Sequence, residues 1–364
     1  MKLDFNLDVF TAKSPPLLGL DIGATSVKLV EITEAGKNQF RIERYAIEAL
    51  PKDAVKDGDI ANADQVIEAL QNAWKQMGGR VKNVAMALPS SAVITKKILL
   101  PADLSGIELE NQVESEANQV IPFPLDEVNL DFQILGASPG SPNDVEVLLA
   151  AARKEKVEDR AALAESVGLK ALVMDVESYA TQMAYNLIAN QLPDAGAGQT
   201  VAIIDIGAQN MHINVLFDNE SVYMREHGFG GNQLNHEISR RYGMTGEEAE
   251  IAKRKGTLPE TYETEVLRPY SETLAMEVGR ALQLFTTSTQ YHRVDYILLA
   301  GGGAMIPGID DVVGGRTGTP TIVANPFANM SVGSKIRAQQ LSNDAPSLFV
   351  ACGLAMRRFD PAEA

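Results

Sequence analysis

The sequence predicts an α/β protein made of two duplicated halves, the first carrying an inserted α+β segment. Three observations lead there. "LLGLDIGATSVKLVEI" (Leu17–Ile32) and "VAIIDIGAQNMHINVL" (Val201–Leu216) both join an apolar run to the same tetrapeptide, Asp-Ile-Gly-Ala. Strand-like and helix-like runs alternate in each half. The chain has 364 residues, 45% hydrophobic and 22% charged, which is globular and too long for one simple core.

In chain order, the first copy reads as a hairpin: strand Leu17–Asp21, turn Ile22–Ser26, strand Val27–Ile32. "FRIERYAIEAL" adds a third strand. Helix Ala63–Met77 is capped by Asn62 or Asp64 and stopped by Gly78-Gly79. Asn83–Leu88 is a short buried strand. From Val93 to about Leu169 the pattern changes. "VITKKILLP" is a strand, a helix capped by Ser105 runs to Val120, and prolines 122 and 124 precede an alternating strand. "SPGSPND" is a turn, "VEVLLAAA" a strand and "KVEDRAALAESVGL" a helix. "KALVMDVE" returns as a buried strand, followed by helix "SYATQMAYNLIANQL" and linker "PDAGAGQ".

The second copy opens the other half. "SVYMREHGFGGNQLNHEISRRYG" runs from strand through a glycine turn into a helix. Charged helices are expected over Gly246–Lys255 and about Tyr262–Tyr291. "VDYILLAGGGAMIPGI" is strand, triple-glycine turn and helix, "PTIVANP" a strand, and "APSLFVACGLAMRRF" a closing helix. This is duplication at domain scale, not a short-period repeat.

The net charge of −16 and a pI near 4.8 oppose nucleic acid or anionic lipid as a partner of the whole molecule. The single cysteine, Cys352, permits no intrachain disulfide and reads as a small buried apolar residue in a reducing compartment. No apolar run reaches the roughly 18–20 residues of a membrane span. The first residues lack a signal-peptide core, so a cytoplasmic protein without direct membrane insertion is expected. Within them, "LDFNLDVF" reads either as a tail or as a strand that pairs with a neighbour.

A glycine turn exposes backbone N–H groups that converge on an anion. Two such turns facing each other would clamp a polyphosphate, with Gly23, Ala24, Thr25 and Ser26 on one side and Gly207, Ala208, Gln209 and Asn210 on the other. Asp21 and Asp205 would then lie close and repel each other unless a divalent cation, Mg2+, sat between them. The plainer reading makes each a strand-end cap. Lys28, seven residues after Asp21, reaches a phosphate as a point charge. His212 holds the equivalent place after Asp205. "AGGGAMIPG" (Ala300–Gly308) lets a ribose or flat ring approach the backbone through Gly301, Gly302, Gly303 and Met305, and a helix N-terminus follows. Neither a Rossmann nor a Walker loop fits these spacings.

Asp-Ile-Gly hairpins in both halves and a late Gly-Gly-Gly resemble the two phosphate motifs and the adenosine motif of the actin/Hsp70/sugar-kinase superfamily. "ALVMDVESYATQMAY" and "SLFVACGLAMRRF" are similar to its two connecting helices. The resemblance covers residues 17 to 359. It implies an actin-like ATPase fold of ribonuclease H-like duplicated domains, with an insert of the type seen in FtsA. "PPLLGLDIGATSVKLVEI" and "ANQVIPFPLDEVNLDFQIL" look still more like the PilM family of type IV pilus assembly. FtsA proteins typically add a linker and a membrane-binding helix beyond the second connecting helix, where this sequence stops within six residues.

The resemblance implies the following layout: a tail (1–16), a first subdomain (17–92 with the connecting helices), an insert (93–170) and a return segment (171–198). The second half divides into 199–229 with 292–346, a subdomain 230–291, and the closing helix and C-terminus (347–364). It also implies ATP with Mg2+, bound by Asp21 and Asp205. Glu177, at the start of the first connecting helix, would act with Asp205 on the attacking water. Glu250 and Lys253 of "EEAEIAKRKG" would flank the adenosine; read alone, they are an i,i+3 surface pair. At most slow hydrolysis is expected.

As a PilM-like protein, the chain would bind the cytoplasmic N-terminal peptide of PilN. The groove would lie between the first subdomain and the insert, near Val93–Leu100 and Ile121–Phe132. Pro122-Phe123-Pro124 reads equally as a rigid turn. A homo-oligomeric ring linking the inner-membrane complex to the pilus motor and platform would follow. An FtsA-like division scaffold and a small-molecule kinase are the alternatives.

Overall fold

The structure is a computed structural model that describes residues 15–138 and 140–360. The "LDFNLDVF" stretch lies wholly outside these residues. The hairpin strands β1 (Leu18–Ile22) and β2 (Ser26–Gly36) continue into β3 (Gln39–Ala49). A two-rung hairpin, β4 (Val55–Lys56) and β5 (Asp59–Ile60), precedes α1 (Ala63–Met77) and β6 (Asn83–Leu88). The insert comprises β7 (Val93–Pro101), α2 (Gly106–Val120), β8 (Val128–Ser138) and β9 (Ser141–Arg153). Then come α3 (Lys154–Ser166), β10 (Lys170–Val176) and α4 (Glu177–Asn186).

The second half holds β11 (Thr200–Ile206), β12 (Met211–Phe217), β13 (Glu220–His227), α5 (Gly231–Tyr242), α6 (Gly246–Lys255) and α7 (Arg268–Ser288). It closes with β14 (Tyr296–Ala300), α8 (Ile309–Thr317), β15 (Thr321–Val323), β16 (Ser331–Val332), α9 (Ala338–Asp344) and α10 (Phe349–Met356).

Three principal sheets result. The first has order β10-β6-β1-β2-β3-β16, the second β13-β12-β11-β14-β15, and the insert β7-β9-β8. Apolar β1 and β11 sit inside their sheets because nearly every one of their side chains is buried. β1 runs parallel to β6, and β11 runs parallel to β14. Ligands of such sheets gather outside the carboxyl ends of the strands, where Asp21 and Asp205 stand.

Helices cover both faces of the first sheet. Val66, Leu70 and Ala73 of α1 and Leu163 of α3 pack on Leu20, Leu29 and Met86. Ala351, Cys352 and Ala355 of α10 cover Val30, Ile32 and Ile42 on the other face. In the second half, Leu274, Val278 and Phe285 of α7 and Leu234 and Ile238 of α5 pack on Ile204, Ile213 and Leu299. α4 and α10 lie between the halves. Ala184 and Tyr185 of α4 and Phe349 of α10 bury themselves against Ile203, Leu216 and Leu298. The two helices touch at backbone level: a Cβ on Gly353 would stand 1.8 Å from the carbonyl oxygen of Ala180. Gly19 is equally tight against α10, at 1.9 Å from the Ala351 carbonyl.

Several local expectations shift. Asn62 does cap α1, its side chain accepting from the Gln65 N–H. Ser105 occupies the N-cap of α2 but makes no capping bond, and the next residue, Gly106, has φ +54°. Ser141–Asp144 of the expected turn belong to β9, since Asp144 pairs with Pro101 of β7. The expected helix Tyr262–Tyr291 opens with one wide turn, Glu263–Leu267, before α7. Pro346 at the start of a 3-10 turn delays the closing helix to Phe349. Cys352 is fully buried, as expected. Among the described residues no helix is long and apolar enough to cross a membrane.

Candidate functional site

The two Asp-Ile-Gly turns are built alike. In each, Gly donates its N–H to the carbonyl three residues on: Gly23 to Ser26 at 3.0 Å, Gly207 to Asn210 at 2.9 Å. Each aspartate faces its sevenfold neighbour across the hairpin, Asp21 opposite Lys28 and Asp205 opposite His212. Lys28 Nζ donates to Asp21 Oδ2 at 2.8 Å. The second turn is also braced from behind by the start of α5. Gly231 and Asn232 donate their N–H groups to the carbonyls of Gly207 and Ala208 at 2.9 and 2.8 Å.

The third glycine cluster continues β14. Ala300 pairs with Asp205, so Gly301 emerges beside that carboxylate. A Cβ on Gly301 would stand 2.2 Å from Asp205 Oδ1. Its N–H donates to the Pro346 carbonyl at 2.8 Å, tying the loop to the segment that enters α10.

All three clusters open on one cleft of about 730 Å3. Every residue of the nucleotide reading lines it: the first turn with Asp21 and Lys28, the second with Asp205 and His212, then Glu177, Glu250 and Lys253, and Gly301 to Gly303 with Met305. Such a volume suits a ligand of nucleotide size. The mouth is bridged where the Asp57 N–H donates to Gln209 Oε1 at 3.1 Å.

The electrostatics follow from crowding. Burial pushes the Asp205 carboxyl above its ordinary range, against the opposing pull of His212 and Lys28. Burial likewise raises Glu177; His212 and Arg160 oppose this, and Asp21 and Asp205 reinforce it. For Lys28 burial acts downward, but Asp21, with Asp205 and Glu177 beyond it, holds the ammonium above its usual value. A cleft that penalises its own carboxylates favours an incoming cation. Among the described residues no three His, Cys, Asp or Glu side chains form a metal cage.

At the far wall, Glu250 accepts from Lys253 Nζ at 2.6 Å, Arg254 Nε at 2.7 Å and Asn235 Nδ2 at 2.8 Å. Burial alone would raise this carboxyl. The Lys253 bond and the other donors reverse it and hold Glu250 at about 2. The i,i+3 pair is half-buried, and Asn235 and Arg254 join it in one hydrogen-bonded cluster.

Sequence reasoning missed several residues. Arg160 of α3 reaches the cleft from the helix behind the insert, 4% exposed. Asp57 and Gly58 enter from the β4–β5 hairpin, and Asn235 and Tyr262 from the second half. The Asp57-Gly58 dipeptide was a readable hairpin signal. Arg160, one charged residue in a charged helix, carried none.

The comparisons agree with this architecture. The chain is 27% identical to a structure described as the "PilM-PilN type IV pilus biogenesis complex", with a TM-score of 0.78 over 96% of this chain and all of that one. The ethanolamine utilization protein EutJ of Carboxydothermus hydrogenoformans shares the fold at 15% identity and TM-score 0.54, covering 94% of this chain and 89% of its own. MreB5 of Spiroplasma citri, solved with ADP, shares it at 13% identity and TM-score 0.50, covering 96% and 100%. The fold is that of the actin-like ATPases. The family described as "Type IV pilus assembly protein PilM" matches residues 19–359, and the chain belongs to that family.

Proposed function

We propose that the chain binds ATP with Mg2+ across the cleft and holds the cytoplasmic N-terminal peptide of PilN against the inserted sheet. The observation that carries the first part is the convergence of two Asp-Ile-Gly turns and a triple-glycine loop on one cleft of about 730 Å3. The N–H groups of Ala24, Thr25 and Ser26 and of Ala208, Gln209 and Asn210 cradle phosphate oxygens from the two sides. Lys28 adds a point charge. Asp21 and Asp205 hold Mg2+ through its waters, and the ion supplies the charge that lets two carboxylates face a polyphosphate. Gly301 to Gly303 and Met305 line the nucleoside, while Glu250 and Lys253 fix the ribose. Glu177 sits at the N-terminus of α4 with a raised proton affinity and orients water. Turnover on this reading is at most slow.

The PilM–PilN complex resembled over nearly the whole chain supports the second part. β7 and β8 are the outer strands of the insert, and Leu99 of β7 is 55% exposed. A peptide there would sit between the insert and the first sheet, and copies of the chain would form a ring coupling the motor to the inner-membrane complex. The test is fluorescence anisotropy of a synthetic PilN N-terminal peptide, with and without MgATP. Saturable binding that Leu99→Asp abolishes, and that changes with MgATP, is expected. Peptide binding unaffected by Leu99→Asp, or the absence of ATP binding by wild type and Asp21→Ala alike, refutes the corresponding part.

A further inference from the structure

Arg160 is a nearly buried cationic group that lines the cleft with one hydrogen bond and no ion pair. It is 4% exposed, and its Nη2 donates to the Gly58 carbonyl at 2.8 Å. Among the described residues no carboxylate lies within ion-pair distance of it; Glu177, Asp21 and Asp59 act on it only through space. A guanidinium has five N–H donors and stays protonated in a protein. Burying that charge without an anion is costly. Lys28, by contrast, is already committed to Asp21. The open side of Arg160 faces the cavity that the glycine turns share.

Its place in the chain matters as much. α3 follows β9 of the insert without a break. The junction grips the insert: Lys154 Nζ, at the start of α3, donates to the Asp126 carbonyl at 2.7 Å, and the guanidinium of Arg153, the last residue of β9, lies 4.2 Å from the Phe123 ring centre. Two residues into the helix, Lys156 pairs with Asp59 of the β4–β5 hairpin at 2.6 Å. Arg160 is four residues further on the same face, against Gly58. The hairpin residue Asp57 in turn bridges the cleft to Gln209.

We infer that Arg160 is a phosphate-binding residue of this cleft, supplied by the helix that carries the insert, and that bound phosphate thereby orders α3 together with the Phe123 segment. This rests on the nucleotide reading above. The chemistry it recognises is a polyphosphate oxyanion, through charge-assisted N–H bonds.

The experiment compares affinities for ATP, ADP and adenosine by isothermal titration in wild type, Arg160→Met and Arg160→Lys. Arg160→Met is expected to weaken ATP and ADP roughly 10- to 100-fold, with adenosine changed less than about twofold. Arg160→Lys falls between, since an ammonium keeps the charge and loses the fork. Equal losses for adenosine and ATP mean a purely structural residue and overturn the inference. So does an unchanged ATP affinity. Wild type that binds neither ATP nor adenosine overturns the nucleotide reading itself, a distinct result. Should Arg160→Met fold poorly, hydrogen exchange on wild type decides. ATP must slow exchange across Lys154–Ser166 more than adenosine does, and equal protection by both overturns the inference.

Discussion

Replacing Gly301 by alanine adds one methyl group at the point where the triple-glycine loop passes Asp205. Gly301 has φ 81° and ψ 177°, a region essentially closed to other residues. Forcing alanine into it costs about 1–3 kcal/mol. The new Cβ would also lie 2.2 Å from Asp205 Oδ1 and 2.6 Å from the Ile206 carbonyl oxygen. The carboxylate or the loop must move by about an ångström to restore ordinary contact, and overpacking of this kind costs about 1–3 kcal/mol. The sum is roughly 2–6 kcal/mol. Gly301 also ties the loop to Pro346, so the strain spreads toward α10. Urea unfolding monitored by circular dichroism reads the stability, and titration of a fluorescent ATP analogue reads the cleft. Both are expected to fall, with Asp205 displaced from its place opposite His212. A loss under about 1 kcal/mol, with nucleotide affinity intact, would refute the reasoning for this loop.

Other outcomes follow from the same geometry. Lys28→Met leaves the nearly buried Asp21 carboxylate without its partner and should cost about 3 kcal/mol; adding Asp21→Asn should recover most of that in a double-mutant cycle. Glu250 stands at about 2 in the fold against an ordinary 4.5, so it stabilises the protein above pH 4.5, and this is lost as pH falls from 4.5 toward 2. The difference in unfolding free energy between wild type and Glu250→Gln, about 1 kcal/mol after allowing for solvent screening, should be flat near neutrality and vanish across that acid window. Asp205 has the opposite sign: its folded-state affinity for a proton is raised, so its ionised form weighs against the nucleotide-free fold. Asp205→Asn should therefore raise the melting temperature without ligand at neutral pH, less so on acidification, while weakening Mg2+-dependent nucleotide binding. Gly353→Val should destabilise by more than about 3 kcal/mol, because the side chain would enter the Ala180 carbonyl.

Much of this was readable in the sequence because the signals were local. Ala63–Met77 shows its period, its Asn62 cap and its glycine stop within the segment, and the helix occupies those residues. Asn83–Leu88 and Val93–Pro101 are apolar or alternating runs between breakers, and both are strands over those residues. The cleft was readable because a repeated tetrapeptide on a strand end has few uses, and symmetry brings its copies face to face. What stayed hidden depended on partners distant in the chain. Ser141–Asp144 look like a turn, yet Asp144 extends a strand because β7 lies alongside it. Arg160 becomes a cleft residue only through the hairpin 102 residues earlier. Ser105 had the right residue type for a cap, but its hydroxyl makes no capping bond ahead of a left-handed Gly106.

The contact of Gly353 with the Ala180 carbonyl turns two crossed rods into a fulcrum. Backbone presses on backbone at that point, while Tyr185 and Phe349 seat the same two helices on the second sheet, so sliding one helix past the other would break both contacts and a swing about the crossing would not. Displacement in a swing grows with radius, so any such movement would be felt most at contacts far from the crossing, such as the one between Asp57 and Gln209. A lever of this form would convert a slight change near the crossing into a wider one at the outer edge of the molecule.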